Sequence, residues 1–199
     1  MKKYEIDADF NLGFHKQGEF SKIVDIDSCG LVSAKVNQLF AYIKQLCYDS
    51  GLPVYDQKTH QGFFRHLVMR EGVNTGQVLV NLSVADNNLQ DNEQQTQLWE
   101  QLLEKFKSDP YLQEQVSSFV ISYNNGLADV VNNQTTEIKT FRGEGYIYEK
   151  LDFSELGKGR DGQDYQVHFR ISPSSFFQTN TLGAQRLFSA AIKMLGHIE

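Results

Sequence analysis

No segment of this 199-residue sequence approaches the roughly 20 consecutive apolar residues that a helix needs to cross a bilayer. Its first ten residues, MKKYEIDADF, mix polar and aromatic side chains rather than setting an apolar core behind a charged tip, so they do not read as a secretory leader. There are two cysteines, Cys29 and Cys47, too few and too far apart for a Cys-x-x-Cys metal knuckle. These absences point to a soluble, cytoplasmic protein with no membrane partner. Positive charge is also short: 19 Lys+Arg against 25 Asp+Glu give −6, so no net field draws the whole chain onto nucleic acid, and only a local basic surface is left open. The G-x-S-x-G elbow, H-E-x-x-H, the Walker loop and G-x-G-x-x-G after a strand are all missing, and no internal repeat is found.

What is present is ordinary globular material. A composition of 40% hydrophobic, 12% aromatic and 22% charged residues excludes a mainly disordered, fibrous or disulfide-scaffold chain. The length suits one main body. Residues 12–26 read as two short strands around a Gly-containing turn, with β-branched Ile23, Val24 and Ile26. Over 33–50, Val36, Leu39, Phe40, Ile43, Leu46 and Cys47 recur at three and four residues, the stripe of an amphipathic helix packed on a sheet. Residues 63–72 and 77–84 alternate apolar with polar around a turn ending in Gly76, a second hairpin. The Gln- and Asn-rich stretch 87–97 leads into a helical period at Leu98, Leu102, Leu103 and Phe106 that Asp109-Pro110 ends. Strands are expected at 118–123, 137–141, 146–151 and 165–171, with 137–151 forming a third hairpin about Gly143-Glu144-Gly145. A closing helix then presents Leu182, Leu187, Phe188, Ala191, Ile192 and Leu195 as its apolar face. Hairpins interrupted by helices argue for an α+β fold with a mainly antiparallel sheet and helices packed on it.

Three places hold residues that can carry chemistry. Arg65, His66 and Arg70 put candidate cations on one hairpin and are candidate RNA contacts, although charged side chains on the solvent side of a half-buried strand are the commoner explanation. Cys29 follows a strand and is either a metal or cluster ligand or a half-buried thiol without chemistry; Cys47 sits on the helix stripe, where packing is its role. Residues 169–180, FRISPSSFFQTN, set two adjacent aromatics and two amides between a strand and a helix. Aromatic faces and amide edges suit a nucleobase or adenine-like ring. Alternatively Phe176 and Phe177 both plug the core while Asn180 or Thr181 caps the helix.

Segment 169–180 resembles the stretch that opens the catalytic domain of the S-adenosylmethionine-dependent RNA (uracil-C5) methyltransferases. Leu12-Gly13-Phe14-His15 with Val24-Asp25-Ile26-Asp27-Ser28-Cys29 is similar to the family's hairpin leading to its cluster cysteine, and residues 65–70 with 75–80 to its central-domain hairpin. The resemblance implies a central α+β domain over 1–168 and the first loop and helix of a Rossmann-like methyltransferase domain, truncated, over 169–199. It implies that Gln178 contacts S-adenosylmethionine, that Phe176 borders the target base, and that Cys29 is an iron-sulfur ligand in the full-length protein. The family's partner is RNA, either rRNA or tRNA, and not DNA. Its chemistry has a cysteine thiolate attack uracil C6 before C5 takes the methyl group, on a base flipped from its stack. The glycine-rich cofactor loop, the Asp-Pro-Pro-Arg loop, the Ser-Cys-Asn-Pro nucleophile and three further cluster cysteines do not occur in this sequence. The expectation is therefore a fragment with no catalytic residue and no bound cofactor of its own; the alternatives are a stand-alone RNA-binding or adapter domain and a spacer domain.

Overall fold

The structure, a computed structural model, describes residues 10–86, 89, 92–127, 137–158, 162–163 and 165–195. Strands β1 (Gly13–Lys16) and β2 (Glu19–Asp25) form the first antiparallel pair, in the register Phe14↔Val24. Helix α1 (Ala34–Asp49) follows, its first turn capped by the Ser33 hydroxyl, which accepts the Val36 N–H. Strands β3 (Phe64–Glu71) and β4 (Val78–Val84) pair antiparallel as expected, closed by a turn in which Gly76 takes φ 69°. Helix α2 (Glu93–Ser108) starts at an Asn92 cap; residues 87, 88, 90 and 91 of the Gln- and Asn-rich stretch lie outside the described residues.

Asp109 ends α2 and at the same time caps a short helix α3 (Pro110–Gln115), with Pro110 in the first turn where its missing N–H costs nothing. The Asp-Pro pair thus starts a second helix as well as stopping the first. The α2–α3 crossover lets β5 (Ser118–Tyr123) lie parallel to β4, an exception to the antiparallel expectation. Both strands are buried on both faces, which is why Val78–Val84 and Ser118–Tyr123 sit at the centre of the sheet. Strand β6 (Glu137–Arg142) completes it in the order β3-β4-β5-β6.

The third hairpin does not form. β6 pairs with β5, while β7 (Ile147–Asp152) pairs with β8 (Gln166–Ile171) in a separate antiparallel ribbon. Gly143-Glu144-Gly145 wraps around the start of β5: a Cβ on Gly143 would lie 2.3 Å from the Ser117 carbonyl oxygen, and the Gly145 N–H donates to Ser118 Oγ at 3.0 Å. These glycines permit both the close approach and the left-handed backbone of the turn, where φ is 67° at Gly143 and 79° at Gly145.

One face of the four-stranded sheet, with Val80, Leu82, Phe119 and Ile121, packs on α1 and α2. From α1 it receives Val36, Leu39, Ile43 and Cys47; Leu46 flanks this core, while Phe40 is only half-buried and lies outside it, contrary to its expected place in the packed face. Each fully buried Leu or Ile here contributes about 1.5–3 kcal/mol. On the other face Leu79 meets Ile147 and Ile171 of the ribbon. Helix α4 (Thr181–Leu195) turns its apolar face outward: Thr181, Ala184 and Ser189 are its buried residues, whereas Leu187 and Leu195 are 66% and 70% exposed. Among the described residues no helix is long and apolar enough to cross a membrane.

Candidate functional site

The segment between β8 and α4 is built as a tight turn followed by a divergent pair of rings. Ser175 Oγ accepts the Ser172 N–H at 3.0 Å and lies 2.8 Å from Ser172 Oγ, and the Ser175 N–H returns to the Ser172 carbonyl at 3.2 Å. Arg70 on β3 reaches across, its Nη2 donating to the carbonyls of Pro173 and Ser175, each at 3.3 Å. Phe177 then turns inward against Phe169 and the Leu79–Ile147–Ile171 cluster. Phe176 turns outward and is 87% exposed. Only one of the two aromatics plugs the core. Gln178 is exposed beside it, and Asn180 caps α4 by accepting the Gly183 N–H at 2.8 Å, which the absent Cβ of Gly183 leaves room for.

The ribbon that carries this loop is bound to the central sheet through a buried carboxylate. Glu149, with no exposed surface, accepts the backbone N–H groups of Val73 at 2.6 Å and Asn74 at 3.0 Å, together with its neighbour Lys150 at 2.8 Å. Thr75 Oγ1 donates to the Tyr148 carbonyl at 2.6 Å, and Gln77 Oε1 accepts the Tyr148 N–H at 2.7 Å. The β3–β4 turn therefore satisfies, through side chains, backbone groups on the edge of β7 that would otherwise need water. Sequence reasoning missed Glu149; a carboxylate at an inward position of the alternating run 147–151 was the available signal.

The three basic hairpin residues do not assemble into one exposed cationic surface. Arg65 Nη1 donates to the carbonyls of Asn124 at 2.8 Å and Gly126 at 2.5 Å, and its guanidinium lies 4.3 Å from the centre of the Tyr55 ring. Arg70 holds the 172–175 turn, and Arg65, His66 and Arg70 are all half-buried. The guanidinium groups are engaged mainly in bracing the chain's own loops. Arg65, His66 and Arg70 all nevertheless line one cleft of about 790 Å³ between the β1–β2 pair, α1 and β3, together with Phe14, Cys29, Asn37 and Phe40. Neither Phe176 nor Gln178 lines it.

Cys29 is held at the mouth of α1 by Asn37, whose Oδ1 accepts the Cys29 N–H at 2.7 Å and whose Nδ2 donates to the Cys29 carbonyl at 3.0 Å. Behind it, buried Lys44 donates to Asp25 at 2.7 Å and to the Ile26 carbonyl at 3.1 Å. Burial pushes the Cys47 thiol up to about 12, consistent with a packing role. No group of three or more His, Cys, Asp or Glu able to hold a metal occurs among the described residues, so these do not make up a cluster's ligand set.

Comparison with known proteins returns RNA methyltransferases. An RNA methyltransferase of Caldanaerobacter subterraneus, itself uncharacterized, is 30% identical over 190 residues, spanning 94% of this chain and 36% of the relative. The chain is a relative of the RNA methyltransferases. A second uncharacterized RNA methyltransferase, from Nostoc, is 39% identical over 188 residues. The tRNA (uracil(54)-C(5))-methyltransferase of Pyrococcus abyssi is 30% identical over 176 residues. The crystal structure of that Pyrococcus abyssi enzyme in complex with S-adenosyl-L-homocysteine superposes with a TM-score of 0.61 at 27% identity, covering 91% of this chain and 37% of the other. No family model matches. The chain spans about a third of the length of the relatives it matches, 36% in the first of them. The kinship expected from residues 12–29, 65–80 and 169–180 is borne out.

Proposed function

We propose that this chain is the central part of an S-adenosylmethionine-dependent RNA (uracil-C5) methyltransferase, with residues 1–168 as its central domain and 169–199 as the opening of a Rossmann-like catalytic domain, the changeover falling within β8. The observation that carries the reading is the match of about nine-tenths of this chain, in sequence and in structure, to about a third of the Pyrococcus abyssi tRNA (uracil(54)-C(5))-methyltransferase. The divergence of Phe176 and Phe177 supports it: Phe177 anchors the loop, so Phe176 can meet a flipped base and Gln178 a cofactor. When bound, S-adenosylmethionine supplies the methyl group. Gln178 would hold polar groups of it with an amide donor and acceptor, adding no charge beside the cationic sulfonium. The nucleophile has no candidate here, since Cys47 is buried and Cys29 lines the cleft beside α1 and β3 rather than the loop of Phe176 and Gln178. The outward apolar face of α4 supports the reading as a surface for a further layer of a larger catalytic domain.

The RNA is rRNA or tRNA in this reading. The test is transfer of a labelled methyl group to C5 of uridine in total RNA, comparing the 199-residue chain with the protein encoded by the complete reading frame. The longer protein is expected to label RNA and the 199-residue chain is not; labelling by the chain alone would sink the division of roles. A complete frame that adds nothing to these residues, and an RNA-binding chain without transfer, would favour the stand-alone RNA-binding or adapter domain.

A further inference from the structure

The outward face of the β7–β8 ribbon sets two tyrosine rings beside potential cations. Ile147, Glu149 and Leu151 point inward and are fully buried, so Tyr148 and Lys150 point outward, opposite their cross-strand partners Arg170 and His168. Tyr146, just before β7, extends the row: its ring centre is 5.4 Å from that of Tyr148 at 83°, and the Arg170 guanidinium carbon lies 5.0 Å from it. Tyr148, His168 and Arg170 are exposed. In a chain of net charge −6, three potential cations on one small face run against the overall sign. The nearby carboxylates make other contacts, although Asp152 alternates outward beside Lys150 and belongs to the same face. Glu149 is turned inward onto backbone N–H groups, Asp152 accepts from Ser154 and Gln166 at the far end, and Glu144 pairs with the Tyr146 hydroxyl.

We propose that this ribbon face is a contact surface for single-stranded RNA, with Tyr148, backed by Tyr146, stacking on a base and Arg170 and Lys150 meeting phosphates. The proposal rests on the RNA methyltransferase reading above and assigns that reading a surface distinct from Arg65, His66 and Arg70. Aromatic faces accept any base and cations track the backbone, so such a ribbon binds a strand with little sequence preference. From Tyr146 to Lys150 the face extends about 13 Å along the strand. Arg170 lies two residues before Ser172, where the turn leading to exposed Phe176 begins, so a strand bound along the ribbon is led toward that ring.

The test is fluorescence anisotropy of a labelled, uridine-rich single-stranded oligoribonucleotide with the 199-residue chain at low and raised salt. Tyr148→Ala is expected to weaken binding roughly tenfold while Tyr148→Phe retains it. Arg170→Gln is expected to weaken binding and flatten the log–log salt dependence by about one unit. Lys105→Gln, which removes an exposed cation from α2, leaves affinity unchanged. Wild-type affinity in both Tyr148→Ala and Arg170→Gln, or no binding by the wild-type chain at low salt, overturns the ribbon assignment. Equal affinity for a duplex overturns the single-strand preference. Methyl transfer by the complete protein is scored separately, so loss of the ribbon assignment with transfer intact leaves the enzymatic reading standing.

Discussion

Glu149 accepts the Val73 backbone N–H at 2.6 Å, joining the inward face of the β7–β8 ribbon to the turn of the β3–β4 hairpin. A carboxylate with no exposed surface is stable there because Asn74 and Lys150 N–H groups complete its shell. Replacing it leaves buried donors unsatisfied. Glu149→Ala is expected to cost about 1–3 kcal/mol, read from urea unfolding followed by circular dichroism. An unchanged unfolding midpoint would show that water takes over these amides without loss.

Phe176 and Phe177 are adjacent and chemically identical, and the structure gives them opposite fates. Phe177→Ala is expected to lower stability by about 2–3 kcal/mol, less than for a fully buried ring because Phe177 is half-buried. Phe176→Ala should stay within about 0.5 kcal/mol of wild type. Paired thermal melts decide it, and similar losses for the two variants would mean that both rings pack.

Arg70 bridges β3 to the 172–175 turn through the carbonyls of Pro173 and Ser175. Arg70→Met keeps the aliphatic stem and removes both bonds. Hydrogen exchange is expected to accelerate in residues 172–178 while the buried strand β4 keeps its protection. Uniform acceleration would make Arg70 a general stabiliser instead.

Burial raises the Cys47 thiol from 9.0 to about 12. Below pH 9 the thiol is neutral in both folded and unfolded chains, so its burial is fully favourable. As pH rises from about 9 toward 12 the unfolded thiol ionises first, and this contribution is lost. Urea unfolding of wild type and Cys47→Val across that range should show a steeper fall for wild type. In the native state half-buried Cys29 is expected to react with a colorimetric disulfide reagent and buried Cys47 only on unfolding; equal reaction rates for the two would overturn this.

Gln178 is exposed, so its loss should not disturb the fold. In the protein encoded by the complete reading frame, Gln178→Ala is expected to weaken S-adenosylmethionine binding by about 1–3 kcal/mol, with the ligand-free melting temperature unchanged. Equal affinities in calorimetric titration, joined to a lower melting temperature, would return Gln178 to a structural role.

What the sequence determined by itself is local. The stripe Val36, Leu39, Ile43 and Cys47 specifies α1 because a helix repeats every 3.6 residues, and the alternation around Gly76 specifies β3 and β4 because their partners are neighbours in the chain. The motif of residues 169–180 was legible as a short unbroken string, and with it the kinship. Tertiary structure alone decided the rest. Strand 118–123 pairs in parallel with β4 across two helices because both are buried on both faces, and 137–142, itself mostly exposed, covers the remaining edge of buried β5 rather than pairing with its neighbour 147–152. The same holds at the site: which of Phe176 and Phe177 turns inward depends on Leu79, Ile147 and Ile171, and whether Arg70 faces an RNA or braces a loop depends on carbonyls more than 100 residues away. Periodicity records which face of an element is apolar; only the assembled packing selects the surface that covers it, and for Leu187 and Leu195 of α4 none of the described residues does.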